Sequence, residues 1–165
     1  MAKSTKKQLA PEGATVVATN RKARRDFDIL DTLEVGIVLT GSEVKSLRES
    51  KVQLAESWAH VYRGELWLHG LHISPYSHSA ATFGHEPDRQ RKLLAHREEI
   101  LRIGSRVDRD NLTLVPLSLY FLKGRAKVEL AIARGRSRAD RRQEIARRDA
   151  DLEARRAVAS ARRRR

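Results

Sequence analysis

The sequence predicts a mainly β fold with short helices, arranged as a small antiparallel barrel of about six strands and followed by a basic tail. Three observations predict it. Between Thr15 and Ala133 apolar and polar residues alternate in short runs; glycines separate successive runs; and beyond Gly135 large apolar residues are too sparse to build a core. The 165 residues suit one domain of ordinary size with tails. The boundaries read as a flexible basic N-terminus over 1–14, a barrel over 15–133 and an arginine-rich tail over 134–165.

The strand runs are TVVATN, DFDILDTLEVGIVLT, ESWAHVYRGELWLHGLHI, LTLVPLSLYFL and RAKVELAIA. Between the first two lies NRKARRDF, a cationic approach segment with Asn20, Arg21, Lys22, Arg24 and Arg25 beside the barrel. Arg63-Gly64-Glu65 and Lys123-Gly124-Arg125 each place a glycine where a tight hairpin requires positive φ. Thr40-Gly41-Ser42-Glu43 is a capping-box pattern that starts a short helix reaching about Ser50, with Val44 and Leu47 inward and Lys45 and Arg48 outward. A second helix is expected after Pro87, capped by Asp88 and running through RQRKLLAHREEILRIG, with Arg89, Arg91 and Lys92 crowding its first turn. Cations there oppose the helix dipole, so an external anion would compensate them. Strands interrupted by one or two helices fit a barrel of the oligonucleotide-binding kind; a sandwich is the alternative. In the tail Ile145 and Leu152 share a helical face, so helix is latent, but the isolated segment is expected to be mostly disordered.

Catalysis has no visible constellation. The chain contains no cysteine, which excludes disulfides, zinc ribbons and thiol nucleophiles. His69, His72 and His78 lack the spacing of a metal site, and no cofactor is expected; Asp28, Asp31 and Glu34 read as the wet face of a strand. No phosphate-cradling loop, dinucleotide fingerprint or nucleophile elbow occurs. No run of apolar residues is long enough to span a membrane, and the cytoplasm is the expected location.

The charge distribution is informative. The net charge is +13, with seven basic and one acidic residue in 1–25, 14 and 15 in 26–133, and 13 and five in 134–165. A nearly neutral middle flanked by cationic ends is rewarded by a polyanion, because each phosphate contact releases counterions. Basic tails that only solubilise the chain are the bland alternative. Arginine outnumbers lysine 25 to 9, which suits bidentate phosphate contacts and stacking on bases, although an arginine-rich coding bias gives the same count. Among eight aromatics most belong to the core, and an exposed Trp58 would be the exception.

NRKARRDFDILDTLEVGIVLTGSEVKSLRESKVQL, DRQRKLLAHREEI, VPLSLYFLKGRAKVELAIARG and DRRQEIARRD together resemble the SsrA-binding protein (small protein B) family from about residue 15 to 150. The resemblance implies a bacterial, non-enzymatic RNA-binding adaptor. Its partners would be transfer-messenger RNA, the ribosome, and elongation factor Tu with GTP through the RNA complex; neither membrane nor DNA is expected. It implies delivery of the tRNA-like part of that RNA to stalled ribosomes for trans-translation, with the tail entering the empty messenger channel as a helix. The alternative is a structural ribosome- or nucleoid-associated protein.

By the same resemblance Asn20, Glu34 and Leu94 contact RNA; their structural alternatives are a turn cap, a solvated strand acid and a core leucine. Lys45, Arg89, Arg91 and Lys92 are added as phosphate contacts from charge and placement. In the tail, Gly135, Arg136, Asp140, Arg141 and Arg142 match the family's ribosome-binding pattern, with Gly135 as hinge, and Arg138 is added as a guanidinium able to stack where the family's ring is missing. Ser137 and Ala139 depart from it, the first replacing a basic residue and the second a frequent tyrosine or histidine.

Overall fold

A computed structural model describes residues 10–77 and 84–163. Residues 1–9 of the basic N-terminus, His78 and the two final arginines lie outside the described residues. The chain divides into two compact units, Met1–Arg134 and Gly135–Arg165.

In the first unit β1 (Thr15–Thr19) leads through Asn20 into a short helix, α1 (Arg21–Asp26), and on into β2 (Phe27–Ile37). The approach segment is thus a helix that the apolar pattern does not announce, because α1 buries only Ala23. Helix α2 (Gly41–Arg48) carries the expected capping box, with Glu43 Oε2 accepting from the Thr40 amide at 2.9 Å. Strand β3 (Val52–Gln53) follows, then β4 (Trp58–Tyr62), β5 (Glu65–His69) and β6 (His72–Ile73); β3 and β6 form a small separate sheet. In the β4–β5 turn Arg63 and Gly64 have φ of 49° and 75°, and two left-handed residues in succession match the twist of the flanking strands.

The second expected helix is corrected. Arg91–Leu94 is a strand, β7, and α3 spans only Arg97–Asp110 with His96 as its cap. In RKLL the side chains alternate, Arg91 and Leu93 buried and Lys92 and Leu94 turned outward, which is strand geometry. The first turn of α3 carries Glu98 and Glu99, which favour the helix dipole, so no external anion is called for. Strands β8 (Thr113–Leu122) and β9 (Arg125–Gly135) complete the unit, joined by a turn at Lys123 and Gly124 with φ of 50° and 76°.

The large sheet has the order β1-β8-β4-β5-β7-β2-β9, and β9 also pairs β8 along nearly its whole length. Six strands therefore close into a ring, β8-β4-β5-β7-β2-β9, with β1 lying against the far end of β8. Val35, Leu66, Leu68, Leu93, Leu119 and Leu130 fill the interior, and Ile100 and Ile103 of α3 add to it. A second apolar cluster lies under α1, where Ala23 meets Val115, Leu117, Ala131 and Ala133. The β8–β9 register shifts between Pro116 and Ser118. Beyond that bulge the strands' other face turns polar, carrying Ser118, Tyr120, Lys127 and Glu129.

In the second unit Arg138–Arg163 forms one helix, α4, with Ile145, Leu152 and Val158 exposed. The latent helix of the sequence is thus present, in a stretch rich in alanine and arginine and free of glycine and proline. Among the described residues no helix is long and apolar enough to cross a membrane.

Candidate nucleic-acid interface

Along β2 the residues Leu33, Val35 and Ile37 face the interior, so Thr32, Glu34 and Gly36 lie on the outer wall. Gly36 stands opposite Leu94 of β7, and a Cβ placed on Gly36 would lie 3.3 Å from the Leu94 Cβ. The missing side chain lets Leu94 lean across β2, with half of its surface (51%) still exposed. Glu34 and Leu94, far apart in sequence, thus share one wall of the barrel.

The Glu34 carboxylate is held from β8 and β9. Tyr120, 2% exposed, donates its hydroxyl to Glu34 Oε2 at 2.5 Å, and Lys127 Nζ lies 3.8 Å from Oε1. Burial first, and then the bond to Glu34, push the Tyr120 hydroxyl well above the usual tyrosine range, so it stays a donor. Beside this pair Ser118 donates to Glu129 at 3.2 Å, and Arg24 of α1 reaches Glu129 at 3.6 Å. A concavity of about 300 Å³ opens here, bounded by Pro11, Thr32, Glu34, Tyr120 and Glu129. The arrangement offers a fixed carboxylate acceptor, an apolar leucine surface and neighbouring cations, which are the functional groups that read base edges and ribose hydroxyls.

Asn20 occupies the place of its structural alternative, the cap. Its carboxamide oxygen accepts from the Ala23 amide at 2.9 Å, and its nitrogen donates to the Leu54 and Pro116 carbonyls at 3.2 and 3.0 Å. These bonds fasten α1 to the barrel and leave the side chain buried. Arg21 and Lys22 are exposed on α1, Lys22 paired with Glu56. Lys45 is exposed on α2 with its ammonium 5.5 Å from the Tyr76 ring centre, and Lys92 is half-exposed and paired with Glu65.

Arg91 is a correction. It is fully buried, its Nε donates to Glu43 Oε1 at 2.9 Å, and its remaining nitrogens donate to the carbonyls of Leu71, Arg89 and Pro87. A guanidinium used up inside the fold has no face left for a phosphate. Arg89 closes the same network, with Nε and Nη2 on the two Glu43 oxygens at 2.7 and 2.6 Å. Burial alone would raise the Glu43 carboxyl; the bonds from Arg89, the Thr40 amide and Arg91 outweigh it and hold the group below the ordinary range.

In the tail unit Gly135 ends β9 without entering the left-handed region, and Arg138, Asp140, Arg141 and Arg142 lie in the first turns of α4. Arg136 stands between the two elements. Among the described residues no group of three or more His, Asp or Glu side chains is placed to hold a metal ion. His72 pairs with Asp88, while His69 bonds His60 at 2.8 Å.

The chain matches the family model described as SmpB protein over residues 17–160. It is a member of the SmpB family. Among curated SmpB relatives, the SsrA-binding protein of Saccharopolyspora erythraea is 50% identical, covering 92% of this chain and 95% of its own. That of Mycolicibacterium smegmatis is 54% identical over 89% and 91%. A solved structure described as "tmRNA-SmpB: a journey to the center of the bacterial ribosome" aligns with a TM-score of 0.63 and 44% identity, covering 78% of this chain and 93% of that one. The barrel with short helices is therefore the SmpB fold.

Two residues that shape this wall escape a sequence reading. Gly36 carries a signal, since a glycine inside a strand marks a close approach. Tyr120 reads as one more apolar position of β8, and only the register opposite Lys127 reveals it as outward.

Proposed function

We propose that this SmpB chain is an adaptor, not an enzyme, that binds the tRNA-like part of transfer-messenger RNA through the wall bearing Glu34 and Leu94. It delivers that RNA, together with elongation factor Tu and GTP, to stalled ribosomes in the bacterial cytoplasm. The observation that carries the reading is the convergence of Glu34, fixed by Tyr120 and Lys127, with the exposed Leu94 on one face. The names of its relatives support the RNA, and the described setting of the solved neighbour supports the ribosome. Helix α4, with basic residues from Arg138 onward, fits the role of a tail that enters the vacant messenger channel, where ribosomal RNA neutralises it.

A competition gel shift at near-physiological salt tests this. Transfer-messenger RNA should displace ordinary tRNA and duplex DNA by a large specificity ratio, and equal competition by all three would instead indicate a structural nucleic-acid-binding protein. Glu34→Ala should weaken the specific complex by about 10- to 100-fold, the effect of removing a charged hydrogen bond.

A further inference from the structure

The outer wall continues from Leu94 across β7 and β5 to β4. Lys92 of β7 stands opposite Trp67 of β5, and Trp67 opposite His60 of β4. Strand alternation places Trp58, His60 and Tyr62 in a row on the outside of β4, because Ala59 and Val61 turn inward. Trp58 is 46% exposed and Tyr62 53% exposed, unusual for large aromatic rings on a regular strand.

These rings form an ordered set. The Trp58 indole lies against the His69 imidazole, with centroids 4.4 Å apart and planes 11° from parallel. His69 Nε2 and His60 Nδ1 share a hydrogen bond at 2.8 Å, and the His60 and Tyr62 centroids are 6.2 Å apart. The indole is held by an imidazole that is itself held, so little side-chain freedom is left to lose when a further ring stacks on it. Burial and the neighbouring His60 lower the tendency of His69 to take up a proton, which keeps the support neutral. Cations flank the row: the Arg63 guanidinium sits 5.2 Å from the Tyr62 centroid, and Lys92 lies across β5. Glu65, the acid opposite Tyr62, is neutralised by Lys92.

We infer that the β4 row of Trp58, His60 and Tyr62 is a second RNA-binding site, a platform on which unpaired nucleobases stack while Arg63 meets their phosphates. Exposed π-faces beside a guanidinium suit the splayed bases and phosphates of single-stranded RNA. In the six-strand ring β4 and β2 stand three places apart, half-way round, so the row faces away from Glu34 and is a surface separate from that wall. The inference rests on the RNA-binding reading above and adds a place for bases that are not part of a helix.

The test uses the full chain and a fluorescent twelve-nucleotide single-stranded RNA, with an RNA duplex as control. Trp58→Leu should weaken single-strand binding by about 5- to 100-fold, the effect of losing one stacking partner, with duplex binding and melting temperature unchanged. Trp58→Phe should recover most of the loss. If Trp58→Leu unfolds the barrel, quenching of Trp58 emission by the RNA in a Trp67→Phe background decides in its place. Equal affinities of wild type, Trp58→Leu and Trp58→Phe, equal losses on single strand and duplex, or absent quenching would each overturn the platform. The two sites separate cleanly: Glu34→Ala that loses transfer-messenger RNA while Trp58→Leu binds normally sinks only the platform. The converse result sinks only the Glu34–Leu94 reading.

Discussion

At the scale of single residues, two acids show how placement decides role. Glu43 is buried with two arginines and a backbone amide around its carboxylate, so removing its charge strands Arg91 inside the fold. Glu43→Gln should cost about 3 to 5 kcal/mol of stability, measured by urea unfolding, the penalty of leaving a buried charge unpaired. Its lowered folded-state value also gives a pH dependence. The stabilisation is complete above the unfolded value of about 4.5, where both states are ionised, and drains away as pH falls through the lower folded value. Melting temperature followed from pH 6 to pH 3 should drop through that window, and the drop should be smaller in Glu43→Gln. Glu34 is exposed and held at its position by a buried hydroxyl. Tyr120→Phe keeps the ring and loses the donor, so it should weaken transfer-messenger RNA binding by about 3- to 10-fold, and the same change in a Glu34→Ala background should have no further effect. Additive losses in that cycle would show that Tyr120 acts elsewhere.

At the scale of elements, Gly36 is where the shape of β2 makes room for β7. Gly36→Val should push Leu94 off the wall and reduce RNA affinity at least as much as Leu94→Ala, while circular dichroism still reports the β fold. This scale also shows what a single sequence reveals. The capping box of α2 and the glycine turns of both hairpins were legible because each is a local device whose chemistry lies within four consecutive residues. Helix α1 was not, since a six-residue helix that buries one alanine has no apolar stripe, and its strongest bonds reach from Asn20 to Leu54 and Pro116. Strand β7 reads as helix for a related reason. Four residues are too short to show a period, and the partner that explains Arg89 and Arg91 is Glu43, on a different element. The candidate site follows the same rule: the family resemblance points to Glu34 and Leu94, but their convergence depends on pairing between β2 and β7.

At the scale of the molecule, the division after Arg134 separates a unit with a core from one whose described large apolar side chains, Ile145, Leu152 and Val158, are exposed. Deleting 135–165 should leave melting temperature and transfer-messenger RNA affinity nearly unchanged while abolishing peptide tagging on stalled ribosomes in a reconstituted translation system. A truncated chain that melts early would assign the helix a structural duty. The ring of six strands has its own consequence. Because β8 is zipped to β4 on one side and to β9 on the other, peeling any member loose breaks two seams at once and opens the interior to water. Amide protons of all six should therefore trade for deuterium nearly in unison, on the clock of global opening, with only β1 and the small β3–β6 pair running ahead.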